Sequence, residues 1–447
     1  MRLPPLLPSP PIIGSLLDLR RDRLATFRRA MALGDVVRLR FPGVEGVLLS
    51  HPEHVRKVFI DEHRAFGKQT RGYNTLRIAL GNGLVTSEGS FWRRQRRIAQ
   101  PGFHRRRIAA FAETMTRATE DMLARWQKRP DPESPLDIGH EMMGLTFRIV
   151  GECLMGTDLS GEASAVGEAV TTLLKATVDR TTRPVLLPLE VPTPKNKKLK
   201  RALEVLDSLV LDIIARRRKS GERPGDLLDM LMNTEDEETG ERMTDRQLRD
   251  EIVTLVLAGH ETTAAGLTWS FYLLSTHPAE LRRLREELDE VLPDRRIPTN
   301  DDLSRLAYTR AVFSEAMRLY PPIWFVARSV HEPIDFGGYD VRPGQVVFIS
   351  PMLIHHDRRF FPNPEGFEPE RFLGEAEKAI PKHAYTPFIT GPRQCIGNNF
   401  AIMEAQLILA TVLPRFDLEL VTGTSVIAEP TVTLRPKYGL PMIVTPR

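Results

Sequence analysis

The sequence is poor in the features that mark specialised architectures. It has two cysteines, Cys153 and Cys395, among 447 residues. Two cannot build a secreted disulfide framework or a four-cysteine zinc site, so a reducing, cytoplasmic setting is expected. No stretch holds 18 consecutive apolar residues, so no transmembrane segment is expected. Charge of one sign is lacking too. The 62 Lys+Arg against 58 Asp+Glu leave +4, too weak a surplus to suggest nucleic-acid binding. No Gly/Ser linker, repeat or low-complexity tract divides the chain. Length alone would allow about three domains, but without a linker the expectation is one domain over residues 1–447.

What is present begins with a proline-rich terminus. Pro4, Pro5, Pro8, Pro10 and Pro11 prevent a continuous helix over residues 1–20. The segment has no uninterrupted apolar core and no small-residue cleavage site, so it does not read as a signal peptide. It reads as a strap packed on the domain surface, with weak interfacial membrane contact as the other reading. The acidic stretch Glu235, Asp236, Glu237, Glu238, Glu241 reads as a solvated loop between two helical patterns.

Strand-like runs lie at Val36–Phe41, Gly46–Ser50, Val326–Val330, Ile334–Phe336 and Gln345–Ser350, with Gly337-Gly338 and Arg342-Pro343-Gly344 as turns. Most of the remainder has helical period, which makes the fold class mainly α with small β-sheets. The strongest helix spans Asp245–Thr276, opened by a Thr244/Gln247 capping box and closed by His277-Pro278. It is about 48 Å long at 1.5 Å per residue. Its middle is apolar and thinned by Gly259, Ala264, Ala265 and Gly266, which suits a bulky flat group lying against that face.

Chemistry concentrates around the second cysteine. Phe388, Gly391, Arg393, Cys395 and Gly397 lie at fixed spacing before a helical run, Asn398–Leu413. A cysteine just before a helix sits near free backbone N–H groups and the positive end of the dipole, both of which favour thiolate. Thiolate is a soft ligand suited to haem iron. The glycines permit a tight turn and close approach of a flat ligand, and Arg393 offers a cation to an anionic group on it. Cys153, in the apolar run Gly144–Met155, belongs to no motif and reads as an inert core residue.

The five-residue pattern resembles the haem-binding signature of the cytochrome P-450 family, here of the soluble bacterial type, with Ile389 standing where a glycine is common. Three further motifs support the resemblance in the usual order. Glu315-Ala-Met-Arg318 resembles the ExxR motif and Pro369-Glu-Arg371-Phe the PERF motif, which implies a buried structural cluster of Glu315, Arg318 and Arg371. Ala258-Gly259-His-Glu261-Thr262-Thr resembles the oxygen-binding motif of the central helix. Small Ala258 and Gly259 would leave room above the iron, and Glu261 and Thr262 would deliver protons. For Thr262 the competing reading is a hydroxyl bonded back to a carbonyl four residues earlier. A zinc-protease HExxH at His260-Glu261 fails, because Ala264 stands where the second histidine belongs. Trp92 and Arg96 resemble the WxxxR element that reaches a haem propionate, with Arg328 as a second propionate contact.

The resemblance implies a single domain binding haem b (iron protoporphyrin IX), with Cys395 as axial iron ligand, and insertion of one atom of O2 into a C–H bond. It implies a monomeric enzyme and a hydrophobic substrate such as a fatty acid, terpenoid or steroid. Substrate-facing segments would be 66–84, an apolar helix around Leu173–Leu189, and the side chains Leu76, Ile78, Leu255, Ile323, Trp324, Phe325 and Val326. Lys68, Arg71 and Arg77 either hold a carboxylate at the mouth or stay solvated. No GxGxxG fingerprint is present, and only 50 residues follow Gly397, so electrons are expected from a separate ferredoxin or flavodoxin with an NAD(P)H-dependent reductase. The seven arginines between Arg93 and Arg107 are either a docking site for it or a solvated basic face. Two other readings stay open: a peroxide-using or isomerising haem-thiolate enzyme, and a non-catalytic haem sensor.

Overall fold

The computed structural model describes residues 2–159, 161–183, 186–236 and 238–447. Helices dominate, and the longest, Asp245–Thr276, has the expected ends. Thr244 Oγ1 accepts from Gln247 N–H, and the Gln247 side chain accepts from Thr244 N–H. It packs along the helix Ile138–Met155 and also touches the helices Ala307–Leu319 and Asn398–Val412. This central helix is buried on nearly every side, as its apolar middle requires. The main hydrophobic cluster draws on residues from Ala79 to Val444 and contains Cys153.

A five-stranded sheet packs beside this helical body. Its strands are β1 (Val36–Phe41), β2 (Val44–Leu49), β3 (Phe66–Gly67), β4 (Val326–Val330) and β5 (Val346–Ile349). They lie in the order β1-β2-β5-β4-β3, with only the β2–β5 pair parallel. Gly337 and Gly338, both at positive φ, turn the hairpin Ile334–Phe336/Tyr339–Val341. The proline strap anneals to β1: Arg38 N–H donates to Pro5 O at 2.7 Å and Leu7 N–H to Arg38 O at 2.9 Å.

Several sequence expectations need correction. The apolar helix ends at Thr182 and does not reach Leu189, because Arg183 is already extended. The acidic stretch is a largely exposed loop, as expected, except at Asp236. Asp236 is buried, its carboxylate bound by Arg97 at 2.9 to 3.1 Å, while Glu238 pairs with Arg97 and Glu241 with Arg94. Glu237 lies outside the described residues. The loop therefore neutralises two of the seven arginines, leaving Arg93, Arg105, Arg106 and Arg107 exposed.

Trp324 is not a pocket residue. It is 1% exposed, its indole N–H donates to Thr431 O at 2.9 Å, and its ring packs on Phe27. Phe325 joins the same aromatic cluster beneath the strap, 4.4 Å from Trp324 between ring centres. Leu255 lies in the apolar seam with Leu154, Met155, Leu227 and Leu228. Leu76, Ile78, Ile323 and Val326 remain half-buried.

Candidate active site

The loop before the helix Asn398–Val412 is shaped by its glycines and held from below. Gly391 has φ +76°, and a Cβ there would fall 2.0 Å from Phe59 O, so no larger residue fits. Cys395 N–H donates to Phe388 O at 3.0 Å, closing the loop on itself. Ile389 adopts φ +58° within it. A left-handed conformation is costly for a β-branched residue, which explains why glycine suits this position. Arg96 NH1 donates to Gln394 O at 3.0 Å, and Trp92 lies under the Arg393 guanidinium at 3.7 Å. Trp92 and Arg96 are thus tied to the cysteine loop itself.

The Cys395 side chain is exposed, although the surrounding protein is dense enough that burial pushes its thiol pKa up. A Gly397 N–H and the Arg96 cation oppose that rise without reversing it. Cys153 is buried, and burial raises its thiol still more strongly.

Beneath the loop the cluster Glu315–Arg318–Arg371 forms. Arg318 uses its whole donor set of five N–H groups. Two go to the Glu315 carboxylate at 2.7 and 2.8 Å. Three go to the carbonyls of His355, Pro364 and Gly366 at 2.7 to 2.8 Å. Arg371 approaches Glu315 at 3.4 Å, and Glu368 N–H donates to the same carboxylate at 3.0 Å. Burial raises the Glu315 pKa against these partners. His355, absent from the sequence reading, extends the network toward Cys395. Its Nε2 accepts from Thr386 N–H at 3.0 Å, two residues before Phe388. A buried histidine outside any motif carries no signal that would have selected it.

Cations gather around Arg393 of the loop. Lys68, Arg77, Arg328 and Arg393 stand close enough to perturb one another, with Glu88 the carboxylate among them. Lys68 is buried, not solvated. Its ammonium donates to Val85 O at 2.6 Å and lies over the Tyr73 ring, and burial with the Arg393 and Arg328 cations holds its pKa well below the ordinary lysine value. Arg328 NH1 donates to Tyr73 Oη at 2.9 Å, and Arg393 NH1 to Ser87 O at 3.0 Å. Burial and Arg328 lower the Arg393 pKa to about 10. Arg77 binds Asn74 and Thr86 O, and Arg71 binds Arg183 O. An excess of half-desolvated cations asks for an anionic ligand, and the two carboxylates of a haem group fit that demand.

On the central helix the expected pair divides. Among the described residues from Leu248 to Leu274, Ala258 alone is exposed, so the helix is open there. Gly259 does not share that opening. A Cβ on it would meet Val150 at 3.0 Å, and one on Gly266 would meet Phe313 at 2.9 Å. Their thinness serves helix packing, since successive residues turn by 100°. Thr262 Oγ1 donates to Ala258 O at 2.7 Å, four residues back. Glu261 is buried, and its Oε1 accepts from Thr433 Oγ1 at 2.7 Å. Burial raises its pKa to about 7 against the Thr433 bond and the Arg435 cation. His260 turns the other way, buried on Phe147 with its pKa lowered by burial to about 4. Thr433, in the C-terminal hairpin, was not singled out from sequence, because 172 residues separate it from Glu261.

An exposed Cys395 thiol on a glycine-shaped loop, cations around Arg393 and an open position at Ala258 are features that a haem-thiolate enzyme requires, and the comparisons agree. The cytochrome P450 family model matches residues 4–441. Cyclooctatin synthase of Streptomyces melanosporofaciens is 37% identical over 440 residues, covering 98% of this chain and 94% of that protein. Cyclooctat-9-en-7-ol 5-monooxygenase of the same organism is 37% identical over 420 residues, 93% and 90% of the two chains. Pentalenene oxygenase of Streptomyces avermitilis is 33% identical over 438 residues, 98% and 94% of the two. The chain belongs to the cytochrome P450 family of haem-dependent oxidoreductases. Among the described residues no helix is long and apolar enough to cross a membrane.

Proposed function

We propose that this P450 hydroxylates an apolar cyclic terpenoid, with haem b held between Ala258 and Cys395. The observation that carries the reading is the buried excess of cations, Lys68, Arg328 and Arg393, beside a cysteine whose side chain stays open. Those cations would bind the propionates, and Cys395 the iron. When bound, the haem supplies oxygen activation and insertion into the C–H bond. The protein orients and protonates. Gly397 N–H and Arg96 stabilise negative charge at the cysteine sulfur. Gly391 lets the loop seat against Phe59 O. Thr262 presents a hydroxyl beside Ala258, its proton engaged by Ala258 O and its lone pairs free to accept. Glu261, with a pKa near neutrality, supplies protons once it turns from Thr433.

The substrate class rests on the relatives' names, pentalenene and cyclooctat-9-en-7-ol, both cyclic alkenes. The half-buried apolar side chains of Leu76, Ile78, Ile323 and Val326 suit such a molecule. We read the chain as one domain, monomeric and cytoplasmic. Its electrons would come from a ferredoxin or flavodoxin with an NAD(P)H-dependent reductase, docking at the exposed Arg93, Arg105, Arg106 and Arg107. The test is a panel of cyclic terpenes screened for a haem spin-state shift, with products then identified. The reading expects a product one oxygen heavier that requires O2 and reducing equivalents. A product formed only with peroxide would overturn it in favour of the peroxide-using alternative.

A further inference from the structure

The turn of the C-terminal hairpin, Ala428–Pro430 with Leu434–Pro436, is clamped from both sides. The Trp269 indole of the central helix donates to Leu434 O at 2.9 Å, and the Trp324 indole donates to Thr431 O at 2.9 Å. Leu434 N–H donates to Pro322 O at 2.9 Å. Within the turn, Thr431 donates to Thr433 O from both its N–H and its hydroxyl, at 3.0 and 2.7 Å. Both indoles are buried, and Trp269 stacks on Tyr320 with ring centres 3.9 Å apart. Buried aromatic side chains with satisfied N–H groups fix the backbone they bind. The turn is therefore a rigid platform.

The Thr433 side chain of that platform faces the central helix. Its Oγ1 donates to Glu261 Oε1 at 2.7 Å, and both residues are buried. The helix thus meets the turn at Glu261 and again at Trp269, about 12 Å further along its axis. Arg435 of the same hairpin is the charged group acting on Glu261, and His260 beside it is turned onto Phe147. The Thr433 backbone serves the turn, while its hydroxyl serves Glu261. That division matters chemically. A hydroxyl donates to a carboxylate and accepts from a carboxylic acid. An arginine could only donate and would trap the ionised form, and a carbonyl could only accept and would hold the acid. Thr433 can hold Glu261 both before and after it gives up a proton.

We propose that Thr433 is a positioning residue for proton delivery, which parks Glu261 against the hairpin and receives it back after each transfer. The inference rests on the reading of Glu261 as the proton donor. Glu261 gives its carboxyl proton to the site above Cys395, returns as a carboxylate to the Thr433 hydroxyl, and regains a proton from solvent water. Because the turn is clamped, the moving part is the Glu261 side chain about its own torsions, and the hairpin keeps its place. The Thr433 bond favours the ionised form against burial, so it also decides how readily Glu261 is reprotonated.

The test compares Thr433→Val, which keeps a similar shape and removes the hydroxyl, with Thr433→Ser, which keeps the hydroxyl. Both are made in the parent and in a Glu261→Gln background, as haem-loaded protein. The first readout is the urea midpoint across pH, each variant against its own Glu261→Gln counterpart, which reads the Glu261 proton without turnover. Thr433→Val loses a hydrogen bond to a charged group, so the pH at which the gap levels should rise by about one unit, and Thr433→Ser should match the parent. The second readout is O2 consumption with a ferredoxin, its reductase and NADPH, in the absence of substrate. Its alkaline limb should move up by the same amount in Thr433→Val. Glu261→Gln should slow it severalfold and abolish the difference between Thr433→Val and the parent. Unimpaired O2 consumption in Glu261→Gln overturns the reading of Glu261 as donor. With Glu261→Gln impaired, an unshifted Thr433→Val profile in either readout, or a Thr433→Ser variant that behaves like Thr433→Val, overturns the role of Thr433 alone.

Discussion

Arg318 offers the sharpest test of what holds the cysteine loop in place. Its five donors meet five acceptors in a fully buried setting. Arg318→Leu leaves the Glu315 carboxylate short of its main partner and three carbonyls without a donor. Removing one partner of a buried ion pair costs about 3–5 kcal/mol, and each orphaned carbonyl adds about 1 kcal/mol or more. The total, about 6–8 kcal/mol, is a large share of the ~5–15 kcal/mol that stabilises a native fold. Arg318→Lys keeps the charge but offers three donors to five acceptors, so at least two stay unpaired and the loss is about 2–3 kcal/mol. Urea unfolding, followed by circular dichroism and haem absorbance, reads both. Haem content should fall with stability, because His355 and Thr386 connect the cluster to the cysteine loop. An Arg318→Lys variant within about 0.5 kcal/mol of the parent would refute the reasoning, since the geometry of the fork would then not matter.

Further outcomes follow from single atoms. Gly391→Ala puts a methyl group 2.0 Å from Phe59 O at φ +76°. Haem incorporation, read as the ratio of haem to protein absorbance, should drop severalfold; normal incorporation would show that the loop can shift. Thr262→Ala should retain haem yet divert reducing equivalents to peroxide, and unchanged coupling of NAD(P)H use to product would remove the residue from proton delivery. Glu261 holds its proton up to about pH 7 in the native state, against about 4.3 when unfolded. The native state therefore binds this proton more tightly, and its advantage is fully present below about pH 4.3. Between there and pH 7 the parent loses stability relative to Glu261→Gln, by about 4 kcal/mol in all, and the gap then levels. Urea midpoints measured across that range check it, and a gap independent of pH would contradict the assignment.

How much of this was legible in the sequence depends on how local the signal is. The ends of the central helix are written in adjacent residues, Thr244 with Gln247 and His277 with Pro278, and the structure keeps both. Glu315 and Arg318 face each other because three residues is nearly one helical turn, and they meet at 2.7 Å. Gly391 and Ile389 were singled out by spacing alone, and their positive φ values supply the physical reason. Relations between distant segments were not legible. Arg97 meets Asp236 across 139 residues, so neither the basic run nor the acidic stretch revealed that each answers the other. Lys68 reads as a surface residue until the Leu84–Val85 carbonyls close over it. Trp324 reads as a pocket wall because the strap that buries it lies some three hundred residues earlier in the chain. Gly259 shares a motif with Ala258 but not a helix face.

The account turns on Cys395 as the iron ligand. The most direct measurement is the absorption spectrum of the reduced carbon monoxide complex of Cys395→Ser beside that of the parent. The account predicts a thiolate-type spectrum in the parent and its loss in the variant, whose hydroxyl is not a soft anionic ligand. A thiolate-type spectrum persisting in Cys395→Ser would contradict it, because the other cysteine, Cys153, is buried in the helical core.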